Sequence, residues 1–176
     1  MNGVIIYKSK YGSTRKYVEW LVEETGFDTI ETSDAKIKEI QEYDVIVLGG
    51  GVYATGIAGI SFLQKNIKNL RDKKIIVFCD GASPFDEEAF EEIKKHNMKD
   101  DLKNIPCFYC RGGWDLEAMS FIDRTMCKLL KKSVAQKPPD ELEIWEKALV
   151  DAGDETCDWT DKKYLKPILE AINRSE

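Results

Sequence analysis

The chain has 176 residues, 43% of them apolar and 33% charged, with a formal charge of −6. That length and balance suit a globular domain with an adequate core and exclude disordered, collagen-like and coiled-coil classes. A single histidine, His96, rules out a multi-histidine zinc site and leaves one candidate for any Ser–His–Asp triad, and the acidic balance argues against a nucleic-acid binder.

The apolar run Val4-Ile5-Ile6-Tyr7 is too short for a secretory leader and has no basic segment before it. It reads as the first strand, buried on both faces. Ser9 to Thr14 is a polar turn. Ser13 to Glu24 carries Tyr17, Val18, Leu21 and Val22 at helical spacing, and Gly26 ends that helix. Phe27 to Glu31 is a weakly alternating strand, and Ser33-Asp34 can cap a short helix through Ile37 and Ile40. Val45-Ile46-Val47-Leu48 is a strongly apolar strand that Gly49-Gly50-Gly51 is expected to stop. A helix bearing Ile57, Ile60, Phe62, Leu63 and Ile67 should follow. The stretch from Val45 to Gln64 is uncharged, but its five glycines fit a strand, loop and helix start better than a membrane span.

Ile75 to Cys79 is another buried strand, ending at Asp80-Gly81. Asp86 to Lys95 is a helix with an acidic first turn, which suits the helix dipole. Ile105 to Cys110 is the last sheet strand. Leu116 to Lys132 is a long amphipathic helix, Pro138-Pro139 breaks the pattern, and helices at Glu141–Val150 and Asp161–Asn173 close the chain. Strands alternating with helices predict an α/β fold with a mostly parallel, doubly wound sheet, whose ligands gather at the carboxyl edge. The expected organisation is one domain over 1–176, with 111–157 a helical insert or extension. A cytoplasmic setting follows, with the five cysteines reduced. Cys107 and Cys110 form a C-x-x-C, but on a strand they face opposite ways, so they read as core thiols.

The turn Ser9-Lys10-Tyr11-Gly12-Ser13-Thr14 has the makings of a phosphate site. It offers three hydroxyls, a glycine that lets amides converge, and the positive end of a helix. An ordinary serine-rich helix cap reads the same way, and Lys10 and Arg15 either assist or are solvated. No triphosphate loop occurs. Gly49-x-Gly51-x-x-Ala54 matches the dinucleotide fingerprint but follows a later strand than that motif requires.

Three segments together carry a resemblance. Tyr7 to Thr14 resembles the FMN phosphate loop of the flavodoxin family. Gly49-Gly50-Gly51-Val52-Tyr53-Ala54 resembles its second flavin loop, and Cys79-Asp80-Gly81-Ala82-Ser83 takes the place of the third. Gly113-Trp114-Asp115 and Ser120 to Arg124 are similar to the single-domain, flavodoxin-like, menaquinone-dependent protoporphyrinogen oxidases. The likeness covers most of residues 3–132. Tyr11 stands where the commonest pattern has a small hydroxyl residue, and Ser13 where it has asparagine. The resemblance implies a sheet of five parallel strands in the order 2-1-3-4-5, with helices on both faces and a helical insert after the last strand.

The resemblance also implies FMN as cofactor. Ser9, Lys10, Tyr11, Gly12, Ser13 and Thr14 would surround the phosphate. Gly51, Val52, Tyr53, Ala54 and Thr55 would line the ring, and Asp80, Gly81, Ala82 and Ser83 would face its pyrimidine edge. Tyr53 either stacks on the ring or is a partly buried loop tyrosine. Asp80 either lowers the flavin potential or is a turn residue before Gly81. Trp114 either covers flavin or substrate or anchors the next helix. Arg111 either meets an anionic substrate group or forms a surface ion pair. No residue stands out as a general base and no metal is expected.

Residues 111–137 carry six basic and three acidic side chains, net +3, which leaves −9 for the rest of the chain. The 116–132 helix either packs its apolar stripe on the domain or lies on an anionic membrane or partner groove. The functional expectation is an FMN oxidoreductase passing electrons from a small organic substrate to a quinone or other acceptor. The alternatives are an electron carrier docking a protein partner through its acidic surface, and a cofactor-free binding module. Asp154, Glu155 and Asp158, with Cys157 and Trp159, read as a solvated acidic loop.

Overall fold

A computed structural model describes residues 1–174. Five parallel strands form the sheet: β1 (Gly3–Lys8), β2 (Asp28–Glu31), β3 (Val45–Tyr53), β5 (Lys74–Gly81) and β6 (Cys107–Arg111), in the order β2-β1-β3-β5-β6. The short β4 (Gly56–Ile57) folds back antiparallel on β3. Counted without β4, this is the expected order.

Strand alternation sorts the apolar side chains into two cores. Val4, Ile6, Ile46, Leu48, Ile75, Val77 and Cys79 face one, under α2 (Ile37–Ile40), α3 (Ser61–Asn66) and α4 (Glu87–Asn97). Ile5, Val45, Val47, Ile76, Phe78 and Cys110 face the other, under α1 (Ser13–Thr25) and the C-terminal α7 (Leu165–Asn173). Burial on both faces is why these strands are continuous apolar runs. Cys107 joins the first core and Cys110 the second, so their thiols diverge.

Beyond β6 the chain builds a third, smaller core. The ribbon of β7 (Gly113–Trp114) and β8 (Cys157–Asp158) pairs antiparallel, and α5 (Phe121–Val134) meets α6 (Ile144–Ala152). Trp114, Leu116, Val134, Leu149 and Ala152 are its buried residues. The expected helix from Leu116 starts only at Phe121, because Ser120 caps it by accepting from the Asp123 amide, and Leu116 and Met119 pack from the preceding loop.

Two other expectations are corrected. The glycine run does not stop β3, which continues through it to Tyr53. Glycine is required there by close approach: a Cβ on Gly49 would lie 2.3 Å from the Phe78 ring, and one on Gly50 would lie 2.0 Å from the Ala58 carbonyl oxygen. The helix expected from Ile57 is accordingly delayed to Ser61, because residues 54–58 first turn back over the strand. Gly50→Ala should therefore destabilise the protein by about 3 kcal/mol or more, read from urea unfolding, since the obstructing atom is backbone.

Candidate functional site

β1, β3 and β5 are neighbours in the sheet, so the segments leaving their carboxyl ends converge. Register places Gly51 beside Asp80, and Asp80 beside Cys110. The first segment turns at Gly12, whose φ of +99° favours glycine, and a side chain there would project into open space. The Ser9 hydroxyl oxygen accepts from the amides of Gly12 and Arg15 at 3.2 and 3.3 Å.

The next two hydroxyls point inward. Ser13 Oγ accepts from the Gly113 amide at 2.9 Å, and Thr14 Oγ1 donates to Asp80 Oδ1 at 2.6 Å. These bonds pin the first turn of α1 to the sheet edge. They leave the backbone amides of Ser13 and Thr14 without a protein acceptor among the described residues. Free amides at the start of a thirteen-residue helix, with Gly12 beside them, fit a phosphate dianion. The three hydroxyls of the turn are engaged within the protein, and the groups it leaves unpaired among the described residues are backbone N–H donors.

Lys10 and Tyr11 turn outward. Both donate to the carboxylate of Asp123 on α5. The hydrogen bond between them, reinforced by that from Tyr11, holds Asp123 below the usual carboxylate range and Lys10 above the usual amine range. The Lys10 ammonium also lies 5.3 Å and 5.6 Å from the ring centres of Tyr11 and Tyr53, which meet edge to face at 6.2 Å. Tyr53 is 39% exposed, and desolvation pushes its hydroxyl up to about 12, so it stays neutral. Arg15 pairs with Glu31.

The second segment, 51–55, is held by a residue that belongs to no sequence motif. Asn97, buried at the end of α4, donates to the carbonyls of Thr55 and Ile93 and accepts from the Ile57 amide. Ala54 takes a positive φ of 52° in the turn it secures. Val52 packs against the first core. The third segment, 80–83, is tied from β6: Tyr109 donates to the Ser83 carbonyl and Arg111 to that of Ala82. Arg111 also stacks on Trp159 at 4.2 Å and forms no ion pair among the described residues. Asn97 carries no motif, and only the tertiary fold brings it, and Asp123 from the Ser120 to Arg124 stretch, to these segments.

Trp114 is 9% exposed and packs within the third core, an anchor for the segment that follows it. The acidic C-terminal loop is paired rather than merely solvated: Asp158 bonds Lys16 and Asp154 bonds Lys131. The Lys16 bond and those from Thr160 take the Asp158 carboxyl down to about 2.

Asp80 is 6% exposed. It is neither a surface turn residue nor paired with a cation among the described residues. Desolvation pushes its carboxyl up to about 6, opposed only by the Thr14 bond. The folded protein therefore holds this proton over a range where the unfolded chain, near 3.8, has released it. Stability contributed by the neutral carboxyl is complete below about 4 and is lost as pH rises through about 6. Replacement by Asn removes that loss. Relative to wild type, Asp80→Asn should gain on the order of 2–3 kcal/mol between pH 4 and pH 7, read from urea midpoints at both pH values. A pH-independent difference would show that the carboxyl does not titrate in this window.

Comparison with known proteins places these segments in a family. Among solved structures, the flavodoxin, WrbA-like protein from Agrobacterium tumefaciens is similar at 17% identity, over 70% of this chain and 87% of that one, with a TM-score of 0.48. The two-electron reduced flavodoxin of Megasphaera elsdenii matches at 18% identity, over 61% and 82%, with a TM-score of 0.44. A flavoprotein in complex with FMN from Lactobacillus acidophilus matches at 17%, over 62% and 91%, with a TM-score of 0.42. No curated protein matches. Residues 4–141, which contain the sheet and all three site segments, match the family profile of the flavodoxin domain. FMN is the cofactor of that family, and the chain belongs to it.

Proposed function

We propose that this protein is an FMN-dependent oxidoreductase that passes electrons from a small organic substrate to a quinone, in the manner of the single-domain menaquinone-dependent protoporphyrinogen oxidases that its sequence resembles. FMN would supply the hydride and electron chemistry. The chain's residues would hold it: the Ser13 and Thr14 amides and the Ser9–Gly12 turn at the phosphate, residues 51–55 beside the ring, and the Gly81–Ser83 backbone at its edge.

The observation that carries the quinone reading is the outer face of α5. Phe121, Ile122, Met126, Leu129 and Leu130 are exposed, Phe121 to 83%. The apolar stripe therefore does not pack on the domain, because the third core takes only Cys127 and Val134 from this helix. Lys128 and Lys132 are exposed on the same helix. No described helix is long and apolar enough to cross a membrane. A basic helix with an apolar face suits lying on an anionic bilayer, where a quinone resides. The first turn of α5 also holds Asp123, which Lys10 and Tyr11 grip, so the same helix touches the bilayer face and the phosphate segment.

The alternative is an electron carrier, which the net charge of −6 favours, since an acidic surface suits basic protein partners. Two measurements separate these readings. The FMN-loaded, reduced protein should be reoxidised by menaquinone in anionic vesicles faster than by a basic acceptor protein, and the reverse order selects the carrier. In flotation at low salt, the protein should rise with anionic vesicles, and Leu129→Asp should lower the bound fraction at least tenfold, as should added salt. Flotation unaffected by Leu129→Asp would remove α5 as the docking face.

A further inference from the structure

Asp80 is a buried acid for which the proposed reaction has no use, and it bonds to the turn where the phosphate would sit. Its Oδ1 accepts from Thr14. Its Oδ2 faces the Gly112 backbone, 2.9 Å from where a Cβ on that glycine would stand. The titratable groups around it come from four elements: Tyr17 on α1, Tyr53 on β3, Cys79 on β5, and Tyr109 and Cys110 on β6. All five are pushed up and neutral at ordinary pH. The nearby cations are engaged elsewhere, Lys10 with Asp123 and Arg111 with the Ala82 carbonyl and Trp159. An ionised Asp80 therefore has one hydroxyl and the start of α1 to support it.

A phosphate dianion would draw on that same helix start. Two anions at one uncompensated site raise each other's proton affinity. We propose that this protein binds phosphorylated flavin with Asp80 as the neutral acid, so that binding above neutral pH takes up one proton from solvent onto the Asp80 carboxyl. In that form Asp80 donates to Thr14 Oγ1. The Thr14 hydroxyl proton, now released from the carboxylate, is free for another acceptor. The inference rests on the FMN reading and adds a proton-linked affinity to it. Affinity is high in mildly acidic solution and falls as pH rises.

The test is FMN affinity by quenching of flavin fluorescence across pH 6.5 to 8.5, where the ligand phosphate is mostly a dianion. Wild type should weaken by up to about tenfold per pH unit, the slope of one linked proton. Asp80→Asn should be flat, and riboflavin, which lacks the phosphate, should show little slope with either protein. Calorimetry at pH 7.5 in two buffers of different ionisation enthalpy should find an uptake approaching one proton in wild type and none in Asp80→Asn. Should Asp80→Asn fail to fold, Thr14→Val keeps the acid but removes the bond that lowers its pKa, and should move the fall in affinity to higher pH. Equal slopes in wild type and Asp80→Asn, zero proton uptake by wild type, or an equal slope for riboflavin would each overturn the inference while leaving FMN binding intact. Failure to bind FMN at any pH would remove both the inference and the reading beneath it.

Discussion

The hydrogen bond from Thr14 to Asp80 joins the first turn of α1 to the centre of the sheet edge. With the Gly113 amide donating to Ser13, it fixes where that turn sits relative to β5 and to the segment leaving β6. Because both hydroxyls are used inward, the outward face of the turn is backbone, and backbone amides at a helix start form a compact anion site that needs no lysine. The attachment has a cost. It buries a carboxylate without a cation, and desolvation acts on that group more strongly than one hydroxyl can offset.

Positioning is divided between the two faces of the sheet and its carboxyl edge. The two main cores come from alternation along continuous apolar strands and position the carboxyl edge rigidly. The segments above that edge are secured by single polar residues set in buried places: Asn97 for 51–55, Tyr109 and Arg111 for 80–83. Each satisfies backbone groups that no strand partner could reach. The third core is separate, and its small size has a direct consequence. It covers one side of α5 and leaves the other side as an apolar surface flanked by lysines. Exposed apolar residues at this density are uncommon on a monomer without a partner.

Charge follows the same division. The body of the chain is acidic and residues 111–137 are basic, and the two are stitched together by Lys10–Asp123 and Lys131–Asp154. These pairs are largely exposed and contribute little to stability singly. Their role here is placement. They bring the insert against the phosphate segment and tie its helix to the C-terminal loop.

The sequence by itself determined the α/β class, a mostly parallel sheet and the polar, glycine-bearing turns at its strand ends. Each of these is encoded locally: apolar runs of strand length, helical stripes between them, and short glycine- and hydroxyl-rich turns at strand ends. Family resemblance then supplied the strand order, the three flavin segments and the cofactor. Only the tertiary structure decided that β3 runs on through Gly49–Gly51, because the reason lies in the distant Phe78 ring and in the Ala58 carbonyl folding back. It also decided that Ser13 and Thr14 face inward, that Asn97 and Asp123 serve the site, and that the stripe of α5 is uncovered. A periodic stripe states that a helix has an apolar face, not what that face meets. What it meets depends on how much of the remaining chain is available to cover it.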